Sequence, residues 1–143
     1  MFLNHAEVVD YKPNEWVLLR PLVWQDGAFV IEVPARFVTD LASIPGVLRG
    51  LPAFNPNGLS RRPAILHDFA YCSHCVPTRA DADQLLFDAL LSAGVSRAVA
   101  RAYWLGVRAG GWLYWNERRK RGGLNDHEDF VTPEEFTQLS GPV

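Results

Sequence analysis

The chain has 143 residues and a mass of 16.0 kDa, the size of one domain. Apolar residues make up 48% and charged residues 21%, which supplies a core and excludes a disordered chain. Fourteen Lys and Arg stand against sixteen Asp and Glu, a net charge of −2, which argues against a partner held by bulk electrostatics such as duplex DNA or an anionic membrane. No apolar run approaches the ~20 residues of a membrane helix, so no transmembrane segment is expected. The first residues, MFLNHAEVVDYKPNEW, lack a basic stretch followed by an apolar one, so no signal peptide is read. Cys72 and Cys75 are too few for a disulfide scaffold.

The residues predict an α+β domain in four stretches: a β-rich part over 1–43, a loop over 44–63, a helical part over 64–116, and a tail over 117–143 with a short helix. Trp16 to Trp24 is apolar and rich in strand formers, Asp26-Gly27 is a hairpin signal, and Ala28 to Val33 reads as the return strand. Pro45, Gly46, Gly50, Pro52, Pro56, Gly58 and Pro63 mark a long loop. Ser60 stands where an N-cap would start a helix running to about Ser73. Thr78 is placed to cap the next helix, with Asp81 at its third position and Gly94 at its end. Ser96 opens a third helix to about Trp115, and Glu117 to Gly123 reads as a charged exit, its basic run solvated. Thr132-Pro-Glu-Glu135 has capping-box form and predicts the last helix. The expected core is Trp16, Leu18, Val23, Phe29, Ile31, Ile65, Leu66, Phe69, Leu86, Leu90, Tyr103 and Val107.

Three polar groups stand out for chemistry. In Ala64-Ile-Leu-His-Asp-Phe-Ala-Tyr71, His67, Asp68 and Tyr71 can lie along one side of a helix. Neighbours His67 and Asp68 point about 100° apart, so one can serve as a base while the other holds a cation. The alternative is a core histidine with one ring nitrogen bonded and a solvated Asp68. The second group is Thr39, Asp40 and Ser43, between a strand and the Pro-rich loop. Asp40 and free loop carbonyls could form an oxygen cage for a hard cation, or the group could be a turn. The third is Arg79 and Asp83. They could form a helix-surface pair, or Asp83 could turn inward and hold His67 in one tautomer. The helices before and after Val76-Pro77-Thr78 should be antiparallel neighbours, which puts Asp83 within hydrogen-bond reach of His67 and Asp40 on the side of Asp68. Such a carboxylate should raise the pKa of His67. Cys72-Ser-His-Cys75 has metal spacing, with His74 as a third candidate ligand, but a structural zinc site needs four.

Val33-Pro-Ala-Arg-Phe-Val-Thr-Asp-Leu-Ala-Ser-Ile-Pro45, the helix 64–71, Arg79-Ala-Asp-Ala-Asp83 and the stretch from Tyr103 through Val107, Arg108, Gly110 and Gly111 to Trp115 resemble a family of small tailed-phage and prophage proteins catalogued as a domain of unknown function. The resemblance covers about residues 16–115 and implies a phage source rather than a reaction. Locally, His67-Asp68-Phe-Ala-Tyr71 followed by Arg79 and Asp83 is also similar to the helix pair of small calcium-dependent secreted phospholipases. That resemblance implies His67 as general base, Asp83 as its orienter, and calcium held by Asp68, Asp40 and the Leu41 carbonyl. Thr39, Ser43, Tyr71, Arg79 and Arg108 would support them. The chain departs from those enzymes in lacking their disulfides and in opening with a hairpin.

Two functions are therefore expected to compete. One is a metal-dependent hydrolase acting on an ester or amide of the host envelope, with a divalent cation, calcium before zinc. The other is a tail, baseplate or assembly component in which the His/Asp/Arg cluster is a structural network. Partners on either reading are phage structural proteins or a host-envelope component, not nucleic acid. The protein would be made in the host cytoplasm and could be carried in the virion.

Overall fold

The computed structural model describes residues 1–41 and 58–141. Ser43 and most of the expected 44–63 loop lie outside the described residues. The elements are β1 (Val8–Asp10), β2 (Trp16–Leu18), β3 (Leu22–Asp26), β4 (Phe29–Val33), β5 (Val38–Thr39), α1 (Arg61–Ser73), α2 (Arg79–Ser92), α3 (Arg97–Gly110), α4 (Trp112–Arg121) and α5 (Pro133–Ser140). The fold is α+β, as the residues predict.

The apolar run from Trp16 to Trp24 is two strands, not one. It divides at Arg20-Pro21, where proline offers no backbone donor to a ladder. β2 joins an antiparallel sheet of order β1-β2-β5, and β3 pairs with β4 in a separate hairpin. Asp26 pairs with Phe29, and Gly27 in the turn has φ +58, the region glycine enters without cost. The hairpin buries the alternate residues Leu22, Trp24, Ile31 and Val33. Val23, expected in the core, is half-buried because a period of two puts it on the other side, whereas Phe29 shares the side of Ile31 and Val33 but is exposed at the turn end of the hairpin, paired with Asp26.

α1 begins at Arg61, three residues inside the expected loop, with Ser60 at its N-cap but making no cap hydrogen bond. Ten of its thirteen residues are buried, from Pro63 to Cys72. A helix enclosed on all sides has no solvated side to offer, so His67 and Asp68 both face the interior. α2 starts at a complete capping box of Thr78 and Asp81 and packs on α1. A second apolar cluster, Leu86, Leu90, Ala100, Tyr103 and Val107, joins α2 to α3.

The expected third helix is two. The break falls at Gly111, and α4 continues to Arg121, through most of the stretch read as an exit loop. The tail then docks on the sheet. The Val38 amide donates to the Asp129 carbonyl, Val131 to that of Arg36, and the Phe130 ring lies 5.9 Å from that of the fully buried Phe37. The α5 capping box of Thr132 and Glu135 forms as expected.

Gly111 is required by a close approach. A Cβ there would stand 2.4 Å from the Tyr71 hydroxyl oxygen and 2.6 Å from the Val107 carbonyl, whereas one at Gly110 would meet nothing within 4 Å. Gly111→Ala should therefore lose about 1–3 kcal/mol of stability through overpacking, and Gly110→Ala should lose none. Urea denaturation of the two variants beside the wild type measures the contrast.

Candidate functional site

Asp83 projects from the second turn of α2 and has no exposed surface. Its Oδ1 accepts from His67 Nε2 at 2.8 Å and from the Tyr71 hydroxyl at 2.6 Å. Its Oδ2 faces the guanidinium of Arg108 at 2.9 Å and that of Arg79 at 3.4 Å. The inward alternative for Asp83 is thus the one realised, within hydrogen-bond reach of His67. Arg79 also donates to the carbonyls of Val107 and Arg108, which ties the start of α2 to the end of α3.

Burial alone would push the Asp83 carboxyl up, but hydrogen bonds from His67, Tyr71 and Arg108 outweigh it and hold the group below its usual range. His67 responds the other way from expectation. Its pKa is lowered, because burial disfavours imidazolium more than the Asp83 hydrogen bond and charge favour it, and Arg79 adds repulsion. Two guanidiniums already balance the single carboxylate, so a third cation has no counter-charge left. The imidazole is held neutral.

Asp68 lies one residue along α1 and is also buried. Its Oδ2 accepts from the Thr39 hydroxyl at 2.8 Å and its Oδ1 from the Tyr114 hydroxyl at 3.3 Å. Its pKa is pushed up to about 7, by burial first and by the negative charge of Asp40 second. The Thr39 hydroxyl, Arg118 and the Asp40 backbone oppose the rise. Asp40 is therefore beside Asp68, as expected from the sequence. Leu41 follows in a left-handed conformation (φ +54), its amide donating to Thr39 Oγ1 at 3.2 Å. Thr39, Tyr71, Arg79 and Arg108 all join the cluster, and Ser43 lies outside the described residues.

Tyr114, Arg118 and Asp129 were not foreseen. Arg118 donates to the Tyr114 hydroxyl at 2.5 Å and to Asp129 Oδ1 at 3.2 Å. Arg121 pairs with Asp129 and Glu128. Half of the basic run read as solvated is thus turned onto the tail. The i, i+4 spacing of Tyr114 and Arg118 on α4 was the available signal; Asp129, distant in sequence, gave none.

A buried carboxylate with a second carboxylate beside it is chemically suited to a hard divalent cation, whose charge would favour ionised Asp68. Among the described residues no three His, Cys, Asp or Glu side chains come together at metal-binding range, so further oxygens would have to be carbonyls or water. Cys72 is buried and its thiol is pushed up by burial and by Asp68, whereas Cys75 is exposed. A buried thiol held protonated is a poor zinc ligand, and the Cys72-Ser-His-Cys75 spacing does not close into a site.

Asp68 sets a pH dependence. Its folded pKa is raised above the unfolded value near 3.8, so its contribution to stability is greatest below that value and is lost as pH rises toward about 7. Urea denaturation of the metal-free protein at mildly acidic and mildly alkaline pH should show Asp68→Asn gaining on the wild type as pH rises. An equal difference at both pH values would mean that Asp68 ionises normally.

No curated protein and no solved structure matches the chain. A family model described as a protein of unknown function, DUF1353, matches residues 16–107. That span contains Asp40, His67, Asp68, Tyr71, Arg79 and Asp83, and stops short of Arg108, Tyr114, Arg118 and Asp129. It covers well over half of the chain, which therefore belongs to the DUF1353 family.

Proposed function

We propose that the protein is a hydrolase of phage origin in which His67 is the general base, Asp83 its orienting partner, and Asp68 with Asp40 the holder of a divalent cation. The observation that carries this reading is the state of His67: a buried imidazole kept neutral, with Nε2 clamped by a carboxylate that is itself fixed by Tyr71, Arg79 and Arg108. A general base must be unprotonated at working pH and held in one tautomer. With Nε2–H donated to Asp83, the basic lone pair sits on Nδ1, and there the proton of an attacking water would be received. The imidazolium so formed would keep its hydrogen bond to Asp83 and hand the Nδ1 proton on to the leaving group. A cation bound by Asp68 and Asp40 would polarise the scissile carbonyl or phosphoryl oxygen. Tyr114, with Arg118 behind it, and Thr39 hold the Asp68 carboxylate in place. The TDLASIP and LHDFAY motifs support a phage source, for which an ester or amide of the host envelope is a fitting substrate.

A second reading rests on burial. His67, Asp68 and Asp83 are each at most 5% exposed, and on this reading the network fixes the fold of a virion or assembly component without chemistry of its own. The two readings separate in one set of variants. Calorimetric titration with calcium and magnesium should show binding by the wild type and none by Asp68→Asn. On a panel of lipid and peptidoglycan esters and amides, His67→Gln should stay folded and lose at least about a hundredfold in rate, the low end for a general base. A folded His67→Gln with undiminished hydrolysis would overturn the assignment. An unfolded His67→Gln and a wild type that neither binds a cation nor cleaves anything would establish the structural reading.

A further inference from the structure

The net charge conceals a local asymmetry. Residues 97–121 hold seven of the fourteen Lys and Arg but one of the sixteen acids, Glu117. Arg108, Arg118 and Arg121 are engaged by Asp83, Asp129 and Glu128. Arg101, Arg119 and Lys120 are exposed and make no ion pair among the described residues.

The same stretch carries exposed apolar side chains: Leu105 is 55% exposed, Trp112 51% and Leu113 57%. Helical hydrogen bonds run through the break, from the Gly111 amide to the Val107 carbonyl and from the Trp115 amide to that of Gly111. The three- and four-residue spacing of a helix therefore continues across it. Arg101, Leu105, Trp112 or Leu113, and Lys120 recur along one outward side, apolar in the middle and cationic at both ends. The inner side of the same segment is committed, with Tyr103, Val107 and Trp115 buried.

We infer that the α3–α4 corner is a peripheral docking surface for an anionic lipid membrane. Trp112 and Leu113 enter the headgroup region, and Arg101, Arg119 and Lys120 meet the lipid phosphates. Tryptophan has an apolar body with a polar N–H and suits that boundary, and flanking cations add attraction to anionic lipid. No helix among the described residues is long and apolar enough to cross a membrane, so the contact is with its surface. The inference goes beyond the hydrolase reading and does not depend on it: the surface residues are outside the His67 cluster.

Co-sedimentation of the full chain with vesicles tests it. Vesicles of phosphatidylcholine containing a quarter phosphatidylglycerol should bind the protein, and pure phosphatidylcholine should bind it far less. Trp112→Ser with Leu113→Ser, and separately Arg119→Glu with Lys120→Glu, should each weaken binding at least about tenfold. Both pairs are exposed, and circular dichroism verifies that each variant is folded; the charge pair carries the test alone if the apolar pair is not. Failure to bind the anionic vesicles, equal binding to both kinds, or wild-type binding by a folded variant would overturn the inference. So would light scattering showing a dimer that Trp112→Ser with Leu113→Ser disperses, because a second copy would then be the occupant.

Discussion

A carboxylate with no exposed surface must find its partners inside the protein, and Asp83 finds them on three helices. Removing such a charge from water costs several kcal/mol, offset only where the partners are close and well aligned. Here they are Tyr71 and His67 on α1, Arg79 on its own helix and Arg108 on α3. Arg79 also donates to the Val107 and Arg108 carbonyls at the end of α3. The Tyr71 hydroxyl reaches Asp83 only because the residue beside it, Gly111, has no side chain. The turn from α3 into α4 is thus part of the same constraint.

The two buried carboxylates are pushed in opposite directions. Asp83 is surrounded by donors and cations and stays ionised; Asp68, one helix away, has hydroxyl donors and a neighbouring Asp40, and its pKa climbs to about 7. The difference follows from the surroundings of each group, since donors and cations favour an ionised carboxylate, and burial beside a like charge disfavours it. Asp68 also links distant parts of the chain. Thr39 brings β5 to it, Tyr114 brings α4, and Arg118 extends the contact to Asp129 in the tail.

The parts of this arrangement readable from the residues were those set by local spacing. The capping boxes at Thr78 and Thr132, the hairpin turn at Gly27, and the facing of His67 and Asp83 across a five-residue connection follow from short-range rules. The errors came from long-range packing. The need for glycine at 111 is set by Tyr71, forty residues earlier, and the docking of Asp129 and Phe130 depends on Phe37 and Arg118. The His67 expectation failed because it counted one carboxylate and missed how deeply the helix is buried and how many cations that carboxylate already serves. The division of the first apolar run has a local signal, Pro21, which its strand-forming neighbours mask.

The central claim is that Asp83 holds a neutral His67 by its Nε2–H. The direct measurement is a two-bond proton–nitrogen correlation spectrum of the ¹⁵N-labelled histidine rings at neutral pH, with His67 assigned through His67→Gln. The account predicts a neutral ring protonated on Nε2 and bare on Nδ1. An imidazolium pattern, or a neutral ring with its proton on Nδ1, would contradict it.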